Sequence, residues 1–249
     1  MRVFLSFLLI ILFAGCASRN TPIITIATAA NMQYAIEEIC NAFEAETGLQ
    51  TQVIISSSGK LTSQIMEGAP FDLFVSADTL YPQYLFKRGR TLGNPKVYGY
   101  GQLIAWSKNL QLSWDEESLF TRERIALANP ALAPYGMAAK QALERLGQYE
   151  QVKDKLVFGE SVAQTNQYIA SGAVDFGFTA FSVVKSAKMK RVGSWVLVPD
   201  DLYCKIPQAA VAIDSPNNRQ DETKQFLDFL TSDHARSILE NFGYIVKAS

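Results

Sequence analysis

Asn31, Ser58, Tyr135 and Val162 each stand at the predicted start of a helix, just after a short apolar strand. The connecting loops are built of Ala, Ser, Pro or Gly. The four fall into two pairs with one spacing: Tyr135 lies 104 residues beyond Asn31, and Val162 lies 104 beyond Ser58. A helix N-terminus carries N–H groups without intrahelical acceptors and a partial positive charge. Two such pairs facing one another would clamp a small anion with neutral donors. Ser56-Ser57-Ser58-Gly59 adds hydroxyls, and its glycine lets backbone approach a ligand closely. Neutral donors avoid the desolvation cost of a buried cation. An all-donor site also prefers a fully deprotonated oxyanion, because a protonated one needs an acceptor. Taken singly, each loop reads as an ordinary helix entry. Their coincidence at repeat-equivalent positions is what points to binding.

Other chemistry is poorly represented. His234 is the only histidine and sits in a polar stretch near the C-terminus. There is no Gly-x-Ser-x-Gly elbow, and one histidine cannot build a His-based metal site. Gly59-Lys60 suggests a phosphate loop, but that motif needs Gly where Ile54 stands and Ser or Thr where Leu61 stands. Cys40 and Cys204 have neither CxxC nor metal-ligand spacing, and Cys40 continues the apolar face Ala35, Ile36, Ile39, Phe43. Formal charge is −1 with no Lys/Arg block, which excludes a nucleic-acid groove. The expectation is a binding protein without cofactor or metal ion, not an enzyme.

The elements that must position the four loops alternate between strand and helix. Ile23 to Ala27 reads as a strand, followed by a helix that Asn31 caps and that runs to Glu46 before Gly48. Val53 to Ile55 leads into a helix from Ser58 through Met66, and Asp72 to Val75 into another from Asp78. Further strands are predicted at 102–107, 124–128, 175–178 and 195–198, and helices at 135–146, 162–170, 222–230 and 233–241. Such alternation implies parallel strands and an α/β layer structure. With 249 residues, 48% of them apolar, two domains can each bury a core. The second half echoes the first: Ile65-Met66-Glu67-Gly68-Ala69-Pro70-Phe71-Asp72-Leu73-Phe74 reads against Ile169-Ala170-Ser171-Gly172-Ala173-Val174-Asp175-Phe176-Gly177, with one residue dropped at Pro70. The repeat places residues 23–99 and 206–249 in domain I and 100–205 in domain II. Gly99-Tyr100-Gly101 and Leu202 to Pro207 would be the two hinge strands. Two crossings suit a cleft that opens and closes.

Residues 1–15 read as a signal peptide: Arg2, then an apolar run from Val3 to Ala14 too short to span a membrane. It ends in Leu12-Phe13-Ala14-Gly15-Cys16, which resembles the lipobox of bacterial lipoproteins, with Phe13 where Leu is usual. Cys16 is the expected lipidation site, a plain secretory signal being the alternative, and residues 16–22 form a polar linker. Either reading sends the chain across the inner membrane, to the periplasm or to a lipid-tethered position. Membrane association would be through that lipid alone.

The loops also carry a family resemblance. Ser57-Ser58-Gly59-Lys60-Leu61 with Gln64-Ile65, and Gly68-Ala69-Pro70-Phe71-Asp72-Leu73-Phe74-Val75-Ser76-Ala77-Asp78, are its most specific segments. Asn129-Pro130, Pro134-x-Gly136 and Phe226-Leu227-x-Phe229-Leu230 support them. From about Ile24 to Val246 the chain resembles the molybdate-binding subunits of bacterial molybdate ABC transporters. The resemblance implies a type II periplasmic-binding-protein fold, with two α/β domains closing on one tetrahedral oxyanion, molybdate or tungstate. It implies an inner-membrane ABC permease as partner and a monomeric state. It carries the ligand role onto Asn31, Ser58, Tyr135 and Val162, the last through its backbone N–H. The runner-up ligand is sulfate or another divalent tetrahedral oxyanion, because the donor logic is shared. Two departures stand out. Asn31 replaces a common Ser, and Ala180 stands where many members place a Tyr that gives its hydroxyl to the anion. The Tyr135 hydroxyl is the expected replacement for that donor.

Overall fold

The computed structural model describes residues 23–114 and 121–247. The signal segment, Cys16 and the linker 16–22 lie outside the described residues. The first half runs β1 (Ile23–Ala29), α1 (Gln33–Thr47), β2 (Gln50–Ser56), α2 (Ser58–Met66), β3 (Leu73–Val75), α3 (Leu80–Lys87) and β4 (Lys96–Gly101). The second contains β5 (Leu103–Ser107), β6 (Ile125–Ala128), α4 (Pro134–Arg145), a single turn α5 (Tyr149–Val152), β7 (Leu156–Gly159), α6 (Val162–Ser171), β8 (Phe176–Ala180), α7 (Phe181–Lys185) and β9 (Ser194–Leu197). The chain then returns through β10 (Ile206–Ala212), α8 (Gln220–Leu230) and α9 (Asp233–Asn241).

The described strands form two five-stranded sheets, ordered β2-β1-β3-β10-β4 and β7-β6-β8-β5-β9. The two orders superimpose strand for strand. β1 and β6 each lie between two parallel partners, and β10 and β5 are the antiparallel intruders that belong to the chain's crossings. Parallel strands need crossover helices, so α1, α2, α4 and α6 all begin at the carboxyl ends of parallel strands. The chain leaves the first sheet at Gln102, the single residue between β4 and β5. A boundary at residue 100 therefore falls inside β4, because Tyr100 and Gly101 still pair with Pro207 and Ile206 of β10.

Both sheets are covered by helices, and the central strands of the second are buried along their length. Leu103–Ser107, Ile125–Ala128 and Phe176–Ala180 have no exposed residue. Continuous apolar runs of this kind are what a two-sided parallel sheet requires. Phe43 on α1 meets Phe226 and Phe229 of α8 edge-on, at centroid distances of 4.9 and 5.5 Å, and closes the first core. The second core does not stop at its own half: Ala29, Ala30 and Ala77, all from the first, pack into it beside Ala128, Tyr135 and Val162. Small residues let the two sets of loops meet closely.

Candidate functional site

The four loops converge on one small cavity. Its wall is Ala29–Asn31 after β1, Ser57 and Ser58 after β2, Ala133–Tyr135 after β6, and Val162 after β7, with Ala77 closing the side. All four positions that the spacing singled out are thus brought together. No charged side chain lines the cavity, so any field in it comes from peptide dipoles and hydroxyls.

Each loop presents donors for a local reason. Ser58 is the first residue of α2, and its Oγ accepts the Ala77 N–H at 3.1 Å. Its own proton is thereby left to donate elsewhere. The neighbouring Gly59 N–H is already engaged: it donates to the Leu132 carbonyl of the opposite half at 2.9 Å. Pro134 opens α4 and has no N–H, which makes the Tyr135 N–H the first donor of that helix. Ser161 caps α6 by accepting from Gln164 N at 3.3 Å, and Val162, at the first helical position, has no intrahelical acceptor.

Asn31 departs from the expected cap. It sits in a 3-10 turn, Ala30–Met32, that precedes α1, and no side chain caps either segment. Its amide turns inward instead and joins a buried polar network. Asn31 Nδ2 donates to Gln208 Oε1 at 2.8 Å and to the Tyr244 hydroxyl at 3.1 Å. The Tyr98 hydroxyl lies 2.7 Å from the same Gln208 oxygen and 3.0 Å from the Ser76 carbonyl, two acceptors for its single proton. Gln208 Nε2 donates to the Tyr135 hydroxyl at 3.0 Å. Burial, first among several causes, pushes the phenols of Tyr98, Tyr135 and Tyr244 above the ordinary tyrosine value, so all three stay protonated. Two buried polar atoms on cavity residues have no partner: Asn31 Oδ1 and Ser57 Oγ.

Ala180 is fully buried and brings no polar group, and Ser182, two residues on, gives its hydroxyl to the Asn31 carbonyl at 2.8 Å. The Tyr135 hydroxyl lies at the hinge: a Cβ on Gly101 would come 2.0 Å from it and 2.3 Å from Gln208 Nε2. Sequence reading missed Gln208, Tyr98, Tyr244 and Ser182. Gln208 had one signal, as the lone polar residue of the run Ile206–Ala212. The tyrosines had none.

Outside the cavity, three contacts join the halves across the mouth. Besides Gly59 to Leu132, the Tyr81 hydroxyl donates to the Ala131 carbonyl (3.1 Å), and Lys60 pairs with Glu160. Gly59, Tyr81 and Ala131 also line a groove of about 760 Å³ whose wall includes Met66, Tyr84 and Met137. His234 is half exposed and pairs with Glu46. Among the described residues no group of three or more His, Cys, Asp or Glu could hold a metal ion, and no helix is long and apolar enough to cross a membrane.

Residues 24–245 match the family model described as bacterial extracellular solute-binding protein. The molybdate-binding protein ModA of Azotobacter vinelandii is 35% identical over 248 residues, covering 96% of this chain and 97% of that protein. YvgL of Bacillus subtilis (strain 168), provisionally named an ABC transporter substrate-binding lipoprotein, is 30% identical over 94% of this chain and 93% of its own length. Among solved structures, the periplasmic molybdate-binding protein of Azotobacter vinelandii superimposes with a TM-score of 0.85 at 31% identity, covering 90% of this chain and all of that one.

Proposed function

This chain belongs to the bacterial extracellular solute-binding proteins, and from that membership we propose that it captures molybdate or tungstate between two domains and delivers it to an inner-membrane ABC permease. The observation that carries the reading is the meeting of four helix starts in one cavity free of charged side chains. A dianion with four oxygens needs several convergent donors and no acceptor. The Ser58 hydroxyl with its helix N-terminus, the Asn31 loop and the first N–H groups of the helices at Tyr135 and Val162 are those donors. Each helix terminus contributes about 0.3–1 kcal/mol toward an adjacent anion, and more when partly buried. Domain I comprises the strands of the β1 sheet and domain II those of the β6 sheet, and closure bends the chain at Gln102 and at the returning segment before β10. The protein acts as a monomeric receptor rather than an enzyme. It is held in the periplasm or tethered there through Cys16.

Calorimetric titration of the chain lacking residues 1–16 with molybdate, tungstate, sulfate and phosphate tests this directly. Tight one-to-one binding of the first two, with little response to the others, is the expected result. Sulfate binding as tight as molybdate would move the assignment to the general divalent oxyanions. No heat from any of the four would remove the site.

A further inference from the structure

Gln208 is the residue on which the buried network turns. It is fully buried, and it lies where the β10–β4 pairing skips Tyr98, a bulge that aims the Tyr98 ring at it. Its amide is tied to Asn31 from the β1 loop, Tyr98 from β4 and Tyr135 from the second half. No room exists for a Cβ at Gly101 beside the Tyr135–Gln208 contact, so the backbone there fits this pair.

In the arrangement described, Gln208 Oε1 competes with the Ser76 carbonyl for the one Tyr98 proton, while Asn31 Oδ1 has no donor. A buried, unpaired acceptor on a cavity residue is costly in itself, and it repels an oxyanion. The two ends of an amide have the same shape. Turning both amides by half a turn keeps every heavy-atom contact and reverses the roles. Gln208 Nε2 then donates to Asn31 Oδ1 and to the Tyr98 hydroxyl, whose proton still goes to Ser76. The Tyr135 hydroxyl donates to Gln208 Oε1, and Tyr244 donates to Asn31 Oδ1. Every acceptor and hydroxyl of the network is then paired, and the Asn31 NH2, now in the place without a protein partner, is left for an ion in the cavity. Resting on the oxyanion reading above, we infer that Gln208 is the positioning residue of the site: with an anion bound, it holds Asn31 with its NH2 toward the ion, and the Tyr135 hydroxyl holds Gln208. Tyr135 thus compensates for the donor absent at Ala180 indirectly, through Asn31.

The test is a double-mutant cycle on molybdate affinity with Gln208→Leu, Tyr135→Phe and the pair, joined to nitrogen-15 NMR of the Asn31 side-chain NH2, assigned by its loss in Asn31→Asp. Each single change should weaken binding about tenfold or more, and the double variant should be no weaker than Gln208→Leu. Molybdate should shift the Asn31 NH2 signal in the native protein and leave it unmoved in Gln208→Leu. Fully additive losses, or an Asn31 signal indifferent to saturating molybdate in the native protein, overturn the inference. If Gln208→Leu does not fold, Gln208→Glu keeps the size and the acceptors but lacks the NH2, and it should show the same loss with native circular dichroism. Native-like affinity in that variant also overturns the inference. A native protein that ignores molybdate would instead sink the functional reading.

Discussion

Ser58 illustrates how a single hydroxyl can be both scaffold and ligand. Its oxygen accepts the Ala77 N–H and its proton remains for the cavity. Ser58→Ala should weaken molybdate binding by about tenfold to a hundredfold, the value of a hydrogen bond to a charged group, as read by calorimetry. The thiols differ as sharply. Burial pushes Cys40 up to about 11 from 9, while Cys204 is exposed. The native chain lacking residues 1–16 should therefore take one equivalent of iodoacetamide at pH 8, on Cys204, and two after unfolding, counted by mass spectrometry. Because the folded thiol holds its proton longer than the unfolded one, Cys40's contribution to stability is complete below about pH 9. It is lost as pH climbs toward about 11. At this scale the sequence was legible where a position recurs, as with Asn31, Ser58, Tyr135 and Val162. It was mute for Gln208, whose partners Asn31 and Tyr98 lie 177 and 110 residues away. Hydrogen bonds at such separations leave no local pattern.

Helix α4 rests on the end of β6 with almost no clearance. A Cβ on Gly136 would lie 1.9 Å from the Ala128 carbonyl oxygen. Gly136→Ala must lift the helix start, so stability should fall by about 1–3 kcal/mol, visible as a lower Tm. Molybdate affinity should fall with it, because Tyr135 is displaced too. Elements with strong periodicity were readable: α2 and α6 begin at Ser58 and Val162 as expected. The first helix was readable in place and in its stop at Gly48 but not in its start, because the Asn31 side chain that should cap it is drawn into the core by Gln208 and Tyr244. Strand β4 was legible only at its end, where Gly99-Tyr100-Gly101 marked a hinge, since Lys96 and Val97 face solvent and break the buried-strand pattern.

Taken whole, the molecule is two copies of one sheet order meeting at their loops, and the 104-residue spacing carries that information because equivalent helices start at equivalent strand ends. The crossing points were legible only to within a few residues, since Gly99 to Gly101 is a strand end whose pairing with β10 decides its allegiance. Lys60 and Glu160 face each other across the mouth but are 40% and 69% exposed, so their pairing contributes at most about 1 kcal/mol. Lys60→Glu should weaken molybdate binding by about fivefold or less in low salt, and the difference should shrink in 0.5 M NaCl as the repulsion is screened. The three mouth contacts carry a consequence beyond their individual strength. The partners of Gly59, Tyr81 and Lys60 are protein atoms of the opposite half, so the contacts form whether or not an ion is present. They set the fraction of molecules already shut, and apparent affinity for a shut-state ligand scales with that fraction. Strengthening them would raise affinity for every anion the cavity accepts by one common factor and slow unloading equally. Selectivity then resides in the cavity alone, while retention time is adjustable from the rim.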